Sequence, residues 1–219
     1  MLYAKVFLPG ILVAMVVPAV ATRGAELATI RLEEHLGAHF VPQVLHWVVE
    51  LPRGKLKDAA RCGLKDDRGA PVLAQVKAMD TWDDGSLRHI KVSLISGLEP
   101  YEVKRFVVDD SGQKGSDDGT FKIAREGNSV VLSSSLAAVR IPAASFADAE
   151  MPAQKAPPPI SQIRGKTRWY GRGSMDSIQM IRQRQMSIAD DGPIYKKASV
   201  EYTYDGGEKY VAEITLQRG

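Results

Sequence analysis

The chain has 219 residues, of which 44% are hydrophobic and 25% are charged, as in an ordinary globular protein. Its 29 lysines and arginines and its 26 aspartates and glutamates give a formal net charge of +3. Such a small excess of positive charge argues against nucleic acid as a partner, because nucleic-acid binding normally needs a concentrated basic face.

The first 21 residues have the organisation of a secretory signal peptide. Met1–Lys5 carries one positive charge, residues 6–18 are apolar, and Ala19-Val20-Ala21 has the small-x-small spacing of a cleavage site. A retained membrane anchor would need roughly 20 apolar residues, and prolines and a glycine interrupt a segment that is shorter than this. We therefore expect a secreted or periplasmic protein with no membrane association after cleavage. Cleavage removes Lys5 and no acid, so 28 bases and 26 acids remain and the charge becomes +2.

Short alternating segments separated by turn signals dominate the mature chain, which is typical of antiparallel β-structure. We expect a mostly β fold with a barrel domain at 28–147, built from a first strand within 26–39 and further strands at 44–49, 72–79, 87–95, 101–108, 121–124, 130–133 and 136–141. No segment of 12 or more residues shows a convincing helical period.

The composition changes after residue 147. Residues 148–162 are rich in alanine and proline, which predicts an extended linker or exposed loop. Residues 163–219 then contain a basic loop and three strands at 179–188, 194–204 and 209–217. Three strands struggle to bury a core alone. We therefore expect this incomplete β-sandwich-like region either to pack on the first domain or to be the start of a larger domain that continues beyond Gly219.

The segment Trp82-Asp83-Asp84-Gly85 lies between two alternating strands. An Asp-Gly pair in this position is a strong hairpin signal, because glycine adopts a positive φ and aspartate caps the turn. The alternative is a metal site, which would require more oxygen ligands at loop spacing. We interpret the segment as a structural turn with a tryptophan anchor, and we expect no metal site.

The sequence contains few candidates for catalysis. The only cysteine, Cys62, is interpreted as an apolar filler rather than a nucleophile. The histidines are candidate bases, but their spacing provides no metal-binding or catalytic motif, and strand histidines are usually packed or solvated; they are His35, His39, His46 and His89. No phosphate-binding loop, serine nucleophile elbow or CxxC pair is present, so we expect no cofactor and assign no catalytic residue.

One basic segment, residues 163–174, combines positive charge with aromatic rings. Arginine pairs with carboxylates and aromatic rings stack on sugar faces, so this composition suits an acidic polysaccharide of the pectin type. The candidate binding residues are Arg164, Arg168, Trp169, Tyr170 and Arg172, and Lys166 adds a further positive charge to the segment. The alternative is a solvated basic loop with no ligand.

Three segments resemble a known family. "LPRGKL" at 51–56, "LKDDRGAPVLAQ" at 64–75 and "WDDGSLRHIKVSL" at 82–94 are similar to the N-terminal domain of the exo-rhamnogalacturonan lyase family, also called YetA-like. "ADDGPIYKKASVEYTY" at 189–204 resembles a later strand of the same family. The resemblance implies a RIFT-type β-barrel. It also implies a lyase activity that belongs to a helical toroid domain, to which nothing in this chain is similar.

Three functional hypotheses follow. The chain is an exported N-terminal module of a rhamnogalacturonan-lyase-like protein that is non-catalytic by itself, a stand-alone module that binds acidic glycans, or a structural or interaction domain with no carbohydrate role. The sequence leaves the oligomeric state open.

Overall fold

The structure is a computed structural model that describes residues 24–218. The predicted signal peptide at 1–21 and the terminal Gly219 lie outside the described residues. The first six strands are β1 (Glu26–Glu33), β2 (Phe40–Glu50), β3 (Gly63–Lys65), β4 (Ala74–Thr81), β5 (Leu87–Leu98) and β6 (Val103–Asp109).

Nine further strands follow, and single 3-10 turns form at Ala59–Arg61 and Ala153–Lys155. These strands are β7 (Lys122–Glu126), β8 (Ser129–Ser133), β9 (Ala138–Pro142), β10 (Met151–Pro152), β11 (Gln162–Arg164), β12 (Trp169–Tyr170), β13 (Met180–Asp191), β14 (Tyr195–Tyr204) and β15 (Lys209–Gln217). The predicted mostly β class is confirmed, and the strand pairs are antiparallel.

The strands form four open sheets in the described chain, with the orders β1-β6-β3, β2-β5-β4, β12-β11-β9-β8-β7 and β10-β13-β14-β15. The expected closed barrel at 28–147 therefore does not form by strand pairing. The physical reason is that the edge strands of one sheet, β1 and β3, do not pair with the edge strands of the other, β2 and β4. Each sheet is then complete with three strands, and the two sheets enclose a core as a sandwich.

A first core lies between these two three-stranded sheets. Strand β5 contributes Ile90, Val92 and Leu94, whose side chains are fully buried, while Phe106 and Val108 face them from β6. This alternation on β5 follows the period of two that places successive side chains on opposite faces of a strand. Cys62 is 1% exposed within the same core, as expected for an apolar filler.

A second core lies between the five-stranded and the four-stranded sheets. It combines residues of β8 and β9, such as Leu132 and Ile141, with residues of β14, such as Val200 and Tyr202. The division between the two cores therefore precedes β7, whereas the sequence placed it at residue 147. The three C-terminal strands cannot bury a core alone, and the β7–β9 meander supplies the layer that they need.

The alanine- and proline-rich segment 148–162 also packs into the second core, where an extended linker or exposed loop was expected. Ala153 and Ala156 are buried, and Met151 pairs with Ile181 on β13. Small alanine side chains allow this irregular backbone to approach the sheet closely. The buried guanidinium of Arg184 donates hydrogen bonds to the carbonyl groups of Pro157 in this segment and of Pro142 before it.

Asp109 is a buried carboxylate at the end of β6, with a side chain that is 2% exposed. Its oxygens accept hydrogen bonds from Lys65 Nζ at 2.6 Å and from the backbone and hydroxyl of Ser111. Burial acts to raise the pKa of Asp109, but the bonds from Lys65 and Ser111 outweigh it and hold the pKa below its usual range. A carboxyl group whose folded pKa is depressed stabilises the fold above its unfolded pKa of about 3.9.

We expect this contribution to be lost as the pH falls from about 4 through the depressed pKa of Asp109. Asp109→Asn should lower the free energy of unfolding by about 1–3 kcal/mol at pH 7, because the buried Lys65 ammonium loses its counter-charge. The deficit should shrink in acid, where the wild-type carboxyl is also neutral. Urea unfolding at pH 7 and in acid measures both effects. Asp176→Asn, at an exposed position, is the control, and an unchanged deficit at both pH values would contradict the expectation.

Candidate functional site

The tryptophan-acid-glycine segment connects β4 to β5. Gly85 has a φ of +78°, and its N–H donates to the carbonyl of Trp82. The N–H and hydroxyl of Ser86 donate to Oδ1 of Asp84, and the indole N–H of Trp82 donates to the carbonyl of Leu51 at 3.1 Å. Asp83 contacts Arg53. These interactions stabilise the turn and anchor it to the neighbouring segment that contains Leu51 and Arg53.

Cys62 is buried, and three of the histidines lie beside carboxylates. Burial raises the pKa of Cys62 to about 11, so its thiol stays protonated at neutral pH. The side chain of His35 lies near Glu33. His39 lies 3.0 Å from Glu99, and His89 lies 2.9 Å from Asp80. In residues 24–218, no group of three or more His, Cys, Asp or Glu side chains is placed to hold a metal ion.

The predicted basic segment forms a hairpin at the edge of the five-stranded sheet. Strand β12 pairs with β11, so that Arg164 lies opposite Trp169 and Ile163 opposite Tyr170. The structure brings Arg164, Arg168, Trp169 and Tyr170 together in this hairpin. Arg172 follows β12 in an exposed irregular segment, and Lys166 is exposed at the turn.

The hairpin divides its aromatic residues between two faces of the sheet, because neighbouring residues of a strand point in opposite directions. The guanidinium carbon of Arg164 lies 5.5 Å from the ring centroid of Trp169, and that of Arg140 lies 4.2 Å from it. On the opposite face, Arg168 lies 5.7 Å from the ring centroid of Tyr170. The predicted residues therefore form two surfaces rather than one.

We call Arg140, Arg164 and Trp169 the arginine–tryptophan face. Sequence analysis missed Arg140, which comes from β9 and reaches Trp169 because β9 pairs with β11. Its guanidinium also donates to Gln162 and to Glu126. The Nε atom of Arg164 is buried without a hydrogen-bond acceptor in residues 24–218. An unsatisfied buried donor costs free energy, and native structures contain few of them.

A second candidate site lies where the two cores meet. It is an open groove of about 550 Å³, which we call the inter-core groove. Its walls come from β2, β4 and β5 on one side and from the C-terminal sheet on the other; they include His46, Lys77, Ala78, Met79, Lys91, Asp190, Tyr195, Lys197, Thr215 and Gln217. Ligand sites prefer such boundaries, and this volume lies within their usual range of roughly 300–1,000 Å³.

Gln75 fixes the geometry of the groove. It is 7% exposed, and its side-chain oxygen accepts hydrogen bonds from the backbone N–H groups of Ile194 and Tyr195, at 3.3 and 3.0 Å. Gly192 lies against the same side chain, where an added Cβ would lie 2.0 Å from Gln75 Cδ. The β13–β14 hairpin is therefore attached to the polar face of the β2-β5-β4 sheet, and Tyr195 is held in the groove wall.

Charged and aromatic groups face one another across the groove. Lys77 forms an ion pair with Asp190 at 3.1 Å, and Lys91 Nζ lies 5.3 Å from the ring centroid of Tyr195. The ring of His46 meets that of Tyr195 edge-on at 5.8 Å. Burial, together with the charge of Asp190, raises the pKa of Tyr195, so its hydroxyl keeps its proton. Desolvation and the nearby Lys91 lower the pKa of His46, which favours the neutral ring.

Comparison with known proteins bears on the fold. No protein-family model matches the chain, and no curated protein matches it. Among solved structures it is similar to an α-mannosidase from Enterococcus faecalis V583, with a TM-score of 0.50 and 11% sequence identity. The likeness is one of fold. It covers 87% of this chain but 28% of the mannosidase chain, so this chain spans little more than a quarter of that protein.

Within residues 24–218, no helix has the length and apolar character of a membrane span.

Proposed function

We propose that this chain is an exported β module that binds acidic polysaccharide and is non-catalytic by itself. In this proposal it serves a pectin-degrading protein of the exo-rhamnogalacturonan lyase-like kind. The observation that carries the proposal is the arginine–tryptophan face, in which two guanidinium groups flank one indole ring. The similarity in fold to part of a protein named as an α-mannosidase agrees with a module that works beside a carbohydrate-active domain.

Stacked guanidinium groups are well suited to bind carboxylates. Contact with the ring of Trp169 restricts the side chains of Arg140 and Arg164, so less side-chain entropy is lost when they bind a ligand. Both terminal nitrogens of Arg140 already donate to Gln162 and Glu126, so the terminal N–H groups of Arg164 are the ones that match the geometry of a uronate carboxylate. A chain of alternating uronate and neutral sugars would present such carboxylates repeatedly, and Arg168 and Tyr170 lie on the opposite side of the same sheet edge.

A polymer titration tests the proposal. We expect rhamnogalacturonan to give a saturable response in calorimetry and in tryptophan fluorescence, whereas neutral arabinan gives none. Arg164→Gln should weaken binding about tenfold or more, since hydrogen bonds to charged groups contribute about 1.5–3 kcal/mol. Arg125→Gln makes the same change of charge at an exposed position of the same sheet and should bind normally.

Two measurements distinguish this function from its alternatives. They are the salt dependence of polymer binding and the presence or absence of a lyase product. Binding of the acidic polymer to the half-buried arginines of this face should weaken at high ionic strength, because salt screens the charges. The same mixtures should yield no unsaturated uronide, which absorbs in the ultraviolet. A wild-type protein that gives no saturable response to the acidic polymer would favour the structural or interaction role.

A further inference from the structure

We propose that the inter-core groove is a second binding site, which takes a single uronate residue such as the end of an acidic glycan chain. The proposal rests on the proposed function for the identity of the sugar. Its location is independent, because the groove lies between the two cores whereas the arginine–tryptophan face belongs to the β12 edge of the five-stranded sheet.

The groove carries more positive than negative charge, which favours a ligand with a negative group. Lys77 and Lys91 lie directly opposite each other on β4 and β5, and like charges in this position destabilise a sheet. Asp190 lies between the two cores and pairs with Lys77 at 3.1 Å, while Lys197 pairs with Glu213 at 2.6 Å. Within residues 24–218, no carboxylate forms an ion pair with Lys91.

Lys91 is therefore the anchor for a ligand carboxylate. Its ammonium group lies over the ring of Tyr195, so its position is restricted before any ligand binds. A carboxylate in the groove would complete the charge balance of three lysines and two carboxylates. Because Lys91 is half-buried, this ion pair is screened less than one between fully exposed charges.

The remaining walls suit the body of a sugar. Thr215 and Gln217 offer a hydroxyl and an amide that exchange hydrogen bonds with sugar hydroxyls, and the protonated hydroxyl of Tyr195 is a further donor. Ala78 and Met79 provide apolar surface for the C–H face of the ring. A carbohydrate needs this combination of polar and apolar contacts, whereas an inorganic anion uses only the lysine.

His46 reports on the occupancy of the groove. Its Nδ1 lies 2.8 Å from the hydroxyl of Ser93, and its ring faces Tyr195 and the charge of Lys91. The other charged groups around the groove are Lys77 on β4, Asp190 on β13 and Lys197 on β14. A bound carboxylate would offset the positive charge of Lys91 and so raise the pKa of His46.

The test uses the mature protein and monomeric galacturonate, followed by NMR and calorimetry. We expect shifts at His46 and Tyr195, an increase in the pKa of His46, and no comparable effect from neutral galactose. Lys91→Gln should weaken galacturonate binding tenfold or more and abolish the effect of the sugar on the pKa of His46. Lys122→Gln, an equal change of charge on exposed β7, should leave both unchanged.

Further observations distinguish polymer binding at the arginine–tryptophan face from galacturonate binding in the inter-core groove. Trp169→Ala should reduce polymer binding while galacturonate still shifts His46, and Lys91→Gln should do the reverse. If galacturonate leaves His46 and Tyr195 of the wild-type protein unshifted, or if galactose shifts them equally, the groove proposal fails even where polymer binding is observed. This comparison needs no variant, so a Lys91→Gln protein that misfolds does not obscure it.

Discussion

Replacing Arg184 with methionine should strongly destabilise the second core. The Arg184 side chain is 1% exposed, and its guanidinium donates to the carbonyl groups of Pro142, Ala144 and Pro157. It also lies 5.5 Å from the ring centroid of Tyr202, whose hydroxyl donates to the carbonyl of Pro157 at 2.6 Å. One side chain thus satisfies acceptors from two irregular segments that enclose the core.

Methionine fills a similar volume but donates no hydrogen bond. Several buried carbonyl groups would then lack a partner, and each such group costs about 1–3 kcal/mol. We expect the free energy of unfolding to fall by about 3 kcal/mol or more, which is a large part of the stability of a small domain. Urea unfolding followed by circular dichroism measures the loss.

Arg182→Met provides the matched control, because Arg182 lies on the same strand with an exposed side chain. It should change the stability by less than about 0.5 kcal/mol. Equal changes of stability in the two variants would contradict the role assigned to the hydrogen bonds of Arg184.

Replacing Gln75 with leucine should loosen the junction between the two cores. The side-chain oxygen of Gln75 accepts from the N–H groups of Ile194 and Tyr195, and both residues are buried. Leucine leaves these two donors without an acceptor, so we expect a loss of at least about 2 kcal/mol. Tyr195 would also lose its fixed position in the groove wall, and galacturonate binding should weaken with it.

Hydrogen exchange gives the sharper measurement. The amide protons of Ile194 and Tyr195 should exchange faster in Gln75→Leu, whereas those of the buried strand β5 should change little, because local opening exposes only the affected segment. Gln43→Leu, at an exposed position of the same sheet, is the control. Unchanged protection of the two amides would contradict the role assigned to Gln75.

Much of the secondary structure was predictable because its signals are local. Alternation predicted a strand at 87–95, which forms the first part of β5, where the side chains of Ile90, Val92 and Leu94 are completely buried. Glycine with positive φ occurs at the expected turn, where Gly85 has a φ of +78°. The short strands β3, β10, β11 and β12 were not predicted, since two or three residues carry no measurable period.

The candidate sites were predictable only in part. The composition of 163–174 indicated a basic and aromatic surface, but Trp169 and Tyr170 point to opposite faces, and Arg140 joins from a different strand. Nothing in the sequence connected His46 and Lys91 with Tyr195, which lies more than a hundred residues further along the chain.

The sequence by itself determined the β class, most strand positions and the turn at Asp84-Gly85, because side-chain period and backbone preference act over a few residues. The tertiary structure alone decided which strands share a sheet, where one core ends and the next begins, and which charges meet in the groove. These features depend on pairing between segments far apart in the chain, and pairing is decided by the burial of whole faces rather than by local pattern.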